Sequence, residues 1–361
     1  MAGMKVIVVG AGVGGTSAGI ALQRLGHDVV IYDQMRENRP VGAALSLWSN
    51  GVKVLNWLGL GAEVAALGGD MADMVYLDGH TGETLCDFSL APVTTQTGQK
   101  PYPVARADLQ ALLMERFGLD GIHLGKKLVG IADDGTTVTA TFADGTTDSA
   151  DMLIGADGAR SIVRDYVQPE GAPSIEREYS GYTNVNGLVP VSASIGRPTA
   201  WTTYVADGKR AAVMPIAGDR FYFWFDIPPA IGPPYDPAAG VAPLREAFGD
   251  WAPGVQELLA AIDPATSLNR VEIWDITPFD TWTKGRSRSS GMPRTTPPPT
   301  SARGRAPRSK TPSRSASRSP PTRWASPTPS AATPRCAWSG PGSSCCGRAS
   351  ALGRHTPSTR P

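Results

Sequence analysis

The sequence predicts an α/β fold: a three-layer, Rossmann-like domain with an inserted, mainly β domain, followed by a tail without regular structure. Three observations carry this expectation. The short β-branched run from Lys5 to Val9 enters the glycine turn Gly10-Ala11-Gly12-Val13-Gly14-Gly15, and apolar residues at helical spacing follow it. From Tyr182 to Asp226 the pattern is mostly β. Beyond Trp282 the hydrophobic periodicity stops, and Pro, Ser, Thr and Arg dominate.

The elements follow in order. Lys5 to Val9 reads as a buried strand ended by glycine, and Ala18, Ala21, Leu22 and Leu25 mark a helix that Gly26 stops. Asp28 to Tyr32 is a second strand ending at Asp33, which completes a βαβ opening. Asp108 is expected to cap a helix carrying Leu109, Leu112 and Leu113 and ending at Gly118. Thr136 to Phe142 alternates, turns at Asp144-Gly145 and resumes, the pattern of a hairpin. Met152 to Gly155 is another buried strand. Arg210 to Pro215 and Arg220 to Asp226 pair around Gly218-Asp219, and Val255 to Ile262 is helical. Residues 4–75 and 100–175 then form the Rossmann-like part, 76–99 and 176–282 the inserted sheet, and 286–361 the tail.

Composition narrows the class. At 361 residues and 41% apolar content the chain suits a globular protein of one or two domains. No apolar run is long enough to span a bilayer, and the N-terminus does not read as a signal peptide, so the expected setting is the cytoplasm. Cys86, the one cysteine before the tail, fits a reducing compartment. The four histidines lack metal-ligand spacing, so no metal is expected. The net charge of +1 conceals two unlike parts. Thirteen arginines and Lys310 crowd the stretch from Arg286 onward, while all 33 acidic residues precede it.

The glycine turn carries the chemistry. Gly10, Gly12 and Gly15 give the spacing G-x-G-x-x-G between a strand and a helix, with Gly14 inside the turn. The first glycine allows the tight turn, the second admits a pyrophosphate to the backbone, and the third lets helix and strand pack closely. Asp33, eighteen residues after Gly15, stands where an acid binds a ribose hydroxyl, and Gln34 follows it. This motif alone does not separate FAD from NAD.

A second motif separates them. Asp151 to Arg164 reads Asp-Met-Leu-Ile-Gly-Ala-Asp-Gly-Ala-Arg-Ser-Ile-Val-Arg. With it the chain resembles the class A flavoprotein monooxygenases, whose middle motif has this form. The resemblance implies FAD as cofactor, NADH or NADPH as electron donor, and Asp157 and Gly158 beside the flavin. It also implies that Arg106, in Pro103-Val104-Ala105-Arg106, contacts the cofactor.

Within that family the chain is similar to the FAD-dependent urate hydroxylases. The likeness rests on Pro40-Val41-Gly42-Ala43-Ala44-Leu45-Ser46, on Trp48 to Lys53, on Tyr182 to Leu188, and on Gly208-Lys209-Arg210 through Met214-Pro215 to Phe223. It implies hydroxylation of urate at C5 to 5-hydroxyisourate with O2 as co-substrate. Arg210 and Tyr222 match the family's substrate-site arginine and tyrosine, Asn184 a substrate contact, and Ser46 and Leu128 FAD contacts. On residue type alone, Arg210 and Tyr222 would read as a strand arginine and a core tyrosine. A class A hydroxylase for another aromatic acid, salicylate-like, is the alternative enzyme.

The family's third motif, Gly-Asp-Ala-x-His followed by a Gly-Gln-Gly loop, is missing. Read one nucleotide earlier, permissive codons from Arg286 onward allow Val-Ala-Leu-Leu-Gly-Asp-Ala-Ala-His and then Gly-Gln-Gly. Met292 followed by Pro293 forces alanine in that frame, and Thr295 admits His. The tail is therefore expected to be a shifted reading of the gene, leaving a chain with weak FAD retention and little activity. The rival, a nucleic-acid-binding tail, has charge in its favour but sparse aromatics and no recognised module. Urate and O2 are the expected partners, with no membrane; sequence does not specify the oligomeric state.

Overall fold

The computed structural model describes residues 3–37, 44–228, 240–263 and 268–289. Contacts divide the chain into two units, Met1–Ser301 and Ala302–Pro361, and every described residue lies in the first. The expectations for Pro40 to Ala43 and for the tail beyond Ser289 fall outside the described residues.

The chain opens with β1 (Lys5–Val9), α1 (Val13–Arg24), β2 (Asp28–Tyr32), β3 (Ala44–Leu47), α2 (Ser49–Trp57) and α3 (Gly61–Leu67). A hairpin of β4 (Asp73–Asp78) and β5 (Thr84–Ser89) follows, then α4 (Ala91–Thr97), β6 (Tyr102–Ala105), α5 (Arg106–Phe117) and β7 (Ile122–His123). Next come β8 (Leu128–Asp133), β9 (Val138–Phe142), β10 (Thr147–Ala150), β11 (Met152–Gly155) and α6 (Ile162–Val167). The long strands β12 (Arg177–Pro190), β13 (Ala200–Ala206), β14 (Lys209–Ile216) and β15 (Arg220–Ile227) lead to α7 (Ala242–Phe248) and α8 (Pro253–Ala261). Strands β16 (Asn269–Ile276), β17 (Thr283–Lys284) and β18 (Ser287–Ser289) end the described residues.

Sheet pairing explains the hydrophobic pattern of β1. It lies inside a six-stranded sheet of order β17-β18-β11-β1-β2-β7, parallel to both β11 and β2. Its side chains alternate between two cores. Val6 and Val8 pack with Ile20, Leu109, Leu113 and Phe117 of α1 and α5, while Ile7 and Val9 pack with Val138, Phe142 and Val163. A strand buried on both faces has no polar side, which is why the run is uniformly apolar. The second covering layer is the antiparallel sheet β10-β9-β8 together with α6.

The inserted part is a seven-stranded sheet of order β16-β12-β15-β14-β13-β4-β5. One face, with Val185, Val213, Phe221, Phe223 and Phe225, is covered by α7 and α8 through Leu244, Phe248 and Leu258. The opposite face carries Met74, Ala212, Met214, Trp201, Tyr222 and Trp224. The short antiparallel pair β3–β6 joins the two parts, since β6 packs on β14 while α5 runs straight out of β6.

Three sequence expectations need correction. Asp108 does not cap α5; the helix starts at Arg106 with Ala105 at its N-cap and no side-chain cap. Asp108 sits in the first turn and pairs instead with Arg220, at 3.2 Å. The hairpin strand starts at Val138 rather than Thr136, because Thr136 and Thr137 wrap the carboxylate of Asp134 in a turn. Structure also continues past Trp282. Strand β18 runs parallel to β11, with Leu153 opposite Ser287 and Gly155 opposite Ser289. Arg286 anchors it by donating from its backbone to Asp133 and from its side chain to the Asp151 carbonyl. A free sheet edge templates backbone pairing whatever the side chains are. Here the inward positions hold serines: Ser287 is 0% and Ser289 7% exposed, and the Ser287 hydroxyl has no hydrogen-bond partner.

Candidate functional site

A cleft of about 550 Å³ opens at the carboxyl ends of β1, β2 and β11. Open parallel sheets place ligands at that edge. Of the residues singled out for a cofactor, Gly10, Gly12, Gly14, Asp33, Gln34, Arg106, Leu128, Asp157 and Gly158 all line it. Gly15 and Ser46 do not: Gly15 is buried beneath the turn, and Leu45 lines the cleft in place of its neighbour Ser46.

The glycines divide the labour. Gly10 has φ +108°, and a Cβ there would run into the Ala156 carbonyl. Gly15 lies on the Gly10 carbonyl itself. By contrast, a Cβ at Gly12 or Gly14 would meet nothing within 4 Å, so these two leave open space in the cleft wall. The N-terminus of α1 beside them has no side-chain cap. Uncapped backbone N–H groups and the positive helix end suit a pyrophosphate in that space.

The two aspartates are held by backbone. Asp33 accepts from the Ala11 N–H and the Met35 N–H, each at 2.7 Å, so its carboxylate braces the glycine turn. Carboxylate oxygens retain further acceptor positions, which leaves Asp33 competent for a ribose hydroxyl. Asp157 turns toward α6: it accepts from the Ser161 hydroxyl at 2.5 Å and from the Ile162 N–H at 2.8 Å, while Ser161 caps the Arg164 N–H at 2.9 Å. Asp157 thus shapes the cleft wall through α6, and Gly158 continues it at φ +78°.

Arg106 tests whether the cleft fits FAD. Its Nε is buried without a hydrogen-bond partner among the described residues, and burial lowers its pKa. Such a guanidinium on a cleft wall calls for an anionic or polar occupant. Lys126, Lys127 and Arg160 add positive charge at the same cleft, though Lys126 also pairs with Asp144 at 2.5 Å. Sequence reading missed these three; the Lys126-Lys127 doublet directly before β8 was the available signal. Tyr32 lines the cleft too, its hydroxyl donating to Asp148 at 3.0 Å.

The residues singled out for substrate lie together on the sheet face opposite α7 and α8. Arg210 on β14, Asp226 on β15 and Asn184 on β12 are register partners across three strands. Arg210 donates to Asp226, and Asn184 donates to the other carboxylate oxygen at 2.8 Å. Asn186 in turn donates to Asn184 at 2.7 Å. Tyr222 lies further along the same face and stacks on Trp224 at 5.2 Å between ring centroids. Burial, then the Asp226 charge, holds the Tyr222 phenol well above its ordinary pKa, so it remains a protonated donor. Asp226 and Asn186 were not singled out from the sequence, because nothing local marks them.

Comparison with known proteins agrees with this geometry. Residues 3–237 match the family model described as an FAD binding domain. The chain is 55% identical over 285 residues to an FAD-dependent urate hydroxylase of Mycolicibacterium vanbaalenii, covering 78% of this chain and 71% of that one. It is 44% identical over 283 residues to the FAD-dependent urate hydroxylase of Klebsiella pneumoniae, covering 78% and 73%. The crystal structure of Klebsiella pneumoniae HpxO with FAD and uric acid superposes with a TM-score of 0.75 at 42% identity, covering 79% of this chain and 72% of that one. Among the described residues no helix is long and apolar enough to cross a membrane. FAD is the cofactor, and the chain belongs to the FAD-binding flavin monooxygenases, in the family of the FAD-dependent urate hydroxylases.

Proposed function

We propose that this protein hydroxylates urate at C5 to 5-hydroxyisourate, in the cytoplasm, with NADH as electron donor and O2 as co-substrate. The observation that carries the reading is the group of Arg210, Asn184 and Tyr222 on one sheet face, in a chain 55% identical to a urate hydroxylase. Urate is a planar heterocycle edged with hydrogen-bond donors and acceptors, and it carries negative charge. Arg210 meets an acceptor edge with charged donors. Tyr222 donates from its protonated phenol, and Trp224 and Trp201 beside it form an apolar wall that keeps water from the ring. Gly12, Gly14, Asp33 and Arg106 hold FAD, which supplies the redox chemistry when bound.

The tail from Arg286 is a shifted reading of the gene, and it leaves this chain with weak FAD retention and little activity. Strand β18 supports this. The frame one nucleotide earlier permits valine at position 287 and leucine at position 289, the two inward positions that now hold buried serines. Apolar side chains there would complete the sheet core and remove an unpaired buried hydroxyl. The same frame then permits Gly-Asp at the second and third positions after the strand.

The test compares the 361-residue chain with one returned to the earlier frame at codon 286, each supplied with FAD. The restored chain is expected to consume urate in step with NADH and release 5-hydroxyisourate, while the original retains little FAD. A restored chain that binds FAD yet oxidises NADH no faster with urate than without it overturns the substrate; a panel including salicylate then finds the true one.

A further inference from the structure

The sheet face beside β6 holds two arginines, and each already has its own carboxylate. Arg220 pairs with Asp108 of α5 at 3.2 Å. Arg210 pairs with Asp226, its direct partner across β14 and β15. Asp226 is only 6% exposed and held from two sides, by Arg210 on one oxygen and Asn184 on the other. A buried carboxylate fixed across three strands does not move aside when a ligand arrives. A ligand approaching Arg210 therefore meets a cation whose charge is already balanced.

We propose that Asp226 sets the charge selectivity of this site, favouring a planar heterocycle with dispersed charge over an aromatic carboxylate. The inference rests on the substrate-site reading above and deepens it. A carboxylate concentrates its charge on two oxygens and docks on a guanidinium by two parallel bonds. Asp226 takes one of the two Nη2 donors of Arg210, and its own charge repels a second localised charge brought close. A heterocycle spreads its charge over several ring atoms and asks for single hydrogen bonds around its edge.

The remaining groups on this face favour the same ligand. Tyr76, Tyr182 and Tyr222 are all held above the ordinary tyrosine pKa, first by burial, so they present neutral hydroxyls. Tyr76 and Tyr222 pack against the same apolar cluster on this face, and Tyr182 lies on β12 two residues before Asn184. Asn186, 3% exposed, keeps a carbonyl oxygen without a hydrogen-bond partner among the described residues. Such an acceptor suits a ring N–H, which urate has and a benzoate-type ligand lacks.

The test titrates the full chain with urate and with salicylate, following the tryptophan fluorescence that Trp201 and Trp224 lend to this face. Replacing the charge alone, Asp226→Asn, is expected to improve salicylate binding relative to urate by about tenfold, whereas Asp226→Glu keeps the original preference. An unchanged ratio of the two dissociation constants, or Asp226→Glu behaving like Asp226→Asn, overturns the proposal. A second pair of variants guards against misfolding. Arg210→Gln leaves the Asp226 charge unbalanced and should weaken urate more than the double variant Arg210→Gln/Asp226→Asn does. Equal weakening in the two also overturns it. A wild-type chain that ignores urate defeats the substrate reading, yet the salicylate shift in Asp226→Asn still decides the role of Asp226.

Discussion

Gly15 lies directly on the carbonyl group of Gly10: a Cβ at position 15 would overlap that oxygen and sit 3.0 Å from its carbon. Helix α1 can approach the end of β1 this closely only because Gly15 lacks a side chain. Gly15→Ala is therefore expected to destabilise the fold by about 1–3 kcal/mol, as overpacking does. Gly12→Ala, whose Cβ meets nothing within 4 Å, should leave stability unchanged and weaken FAD binding instead. Melting curves of the frame-restored chain with and without FAD separate the two; equal melting temperatures for both variants without FAD would count against this division of roles.

The Arg106 Nε is buried without a hydrogen-bond partner among the described residues. Replacing it with Met removes an unsatisfied polar group worth about 1–3 kcal/mol. The FAD-free Arg106→Met variant should thus melt above the wild type, while FAD should stabilise it less. A variant that melts lower without FAD and keeps the full FAD-induced shift would show that Arg106 serves the fold and not the cofactor.

The donor role proposed for Tyr222 predicts that Tyr222→Phe removes one hydrogen bond to substrate and little else. In the frame-restored chain kcat/KM for urate should fall about tenfold, about 1.4 kcal/mol of transition-state binding. Burial and the Asp226 charge keep this phenol protonated beyond its ordinary range. The pH profile of the wild type should accordingly show no break from Tyr222 up to about pH 10. An unchanged kcat/KM in the variant removes Tyr222 from the site.

Tyr32 gives a stability prediction with a definite sign. Burial, and then its bond to Asp148, pushes its pKa from 10.0 up to about 12. The unfolded chain therefore loses this proton before the folded chain does. The contribution is complete below pH 10 and disappears as pH rises toward about 12. Tyr32→Phe should flatten the fall in melting temperature across that window and remove one late-titrating tyrosine from an ultraviolet titration. A wild-type titration complete near pH 10 would contradict it.

The cofactor half of the site was largely legible in the sequence. The turn from Gly10 to Gly15, Asp33, and the strand leading to Asp157-Gly158 are short local patterns, and nine of the expected residues line one cleft. The carboxylate of Asp157 was placed but not its task, because its partners Ser161 and Ile162 form a cap that only the turn geometry of α6 creates. Strand β18 was invisible, since serines carry no hydrophobic signal and the edge of β11 supplies the pairing.

By itself, the sequence determined the strand–turn–helix cradle, the burial of β1, and a family likeness strong enough to single out Arg210, Asn184 and Tyr222. These follow from side-chain periodicity and backbone freedom within a dozen residues. Only the tertiary structure decided that Asp226 balances Arg210, that Asn184, 42 residues away, secures it, and that Asp108 turns from a helix cap into the partner of Arg220. Those relationships depend on strand register and on how β6 and α5 meet the sheet. A one-residue slip in register would send each of the strand side chains to the opposite face.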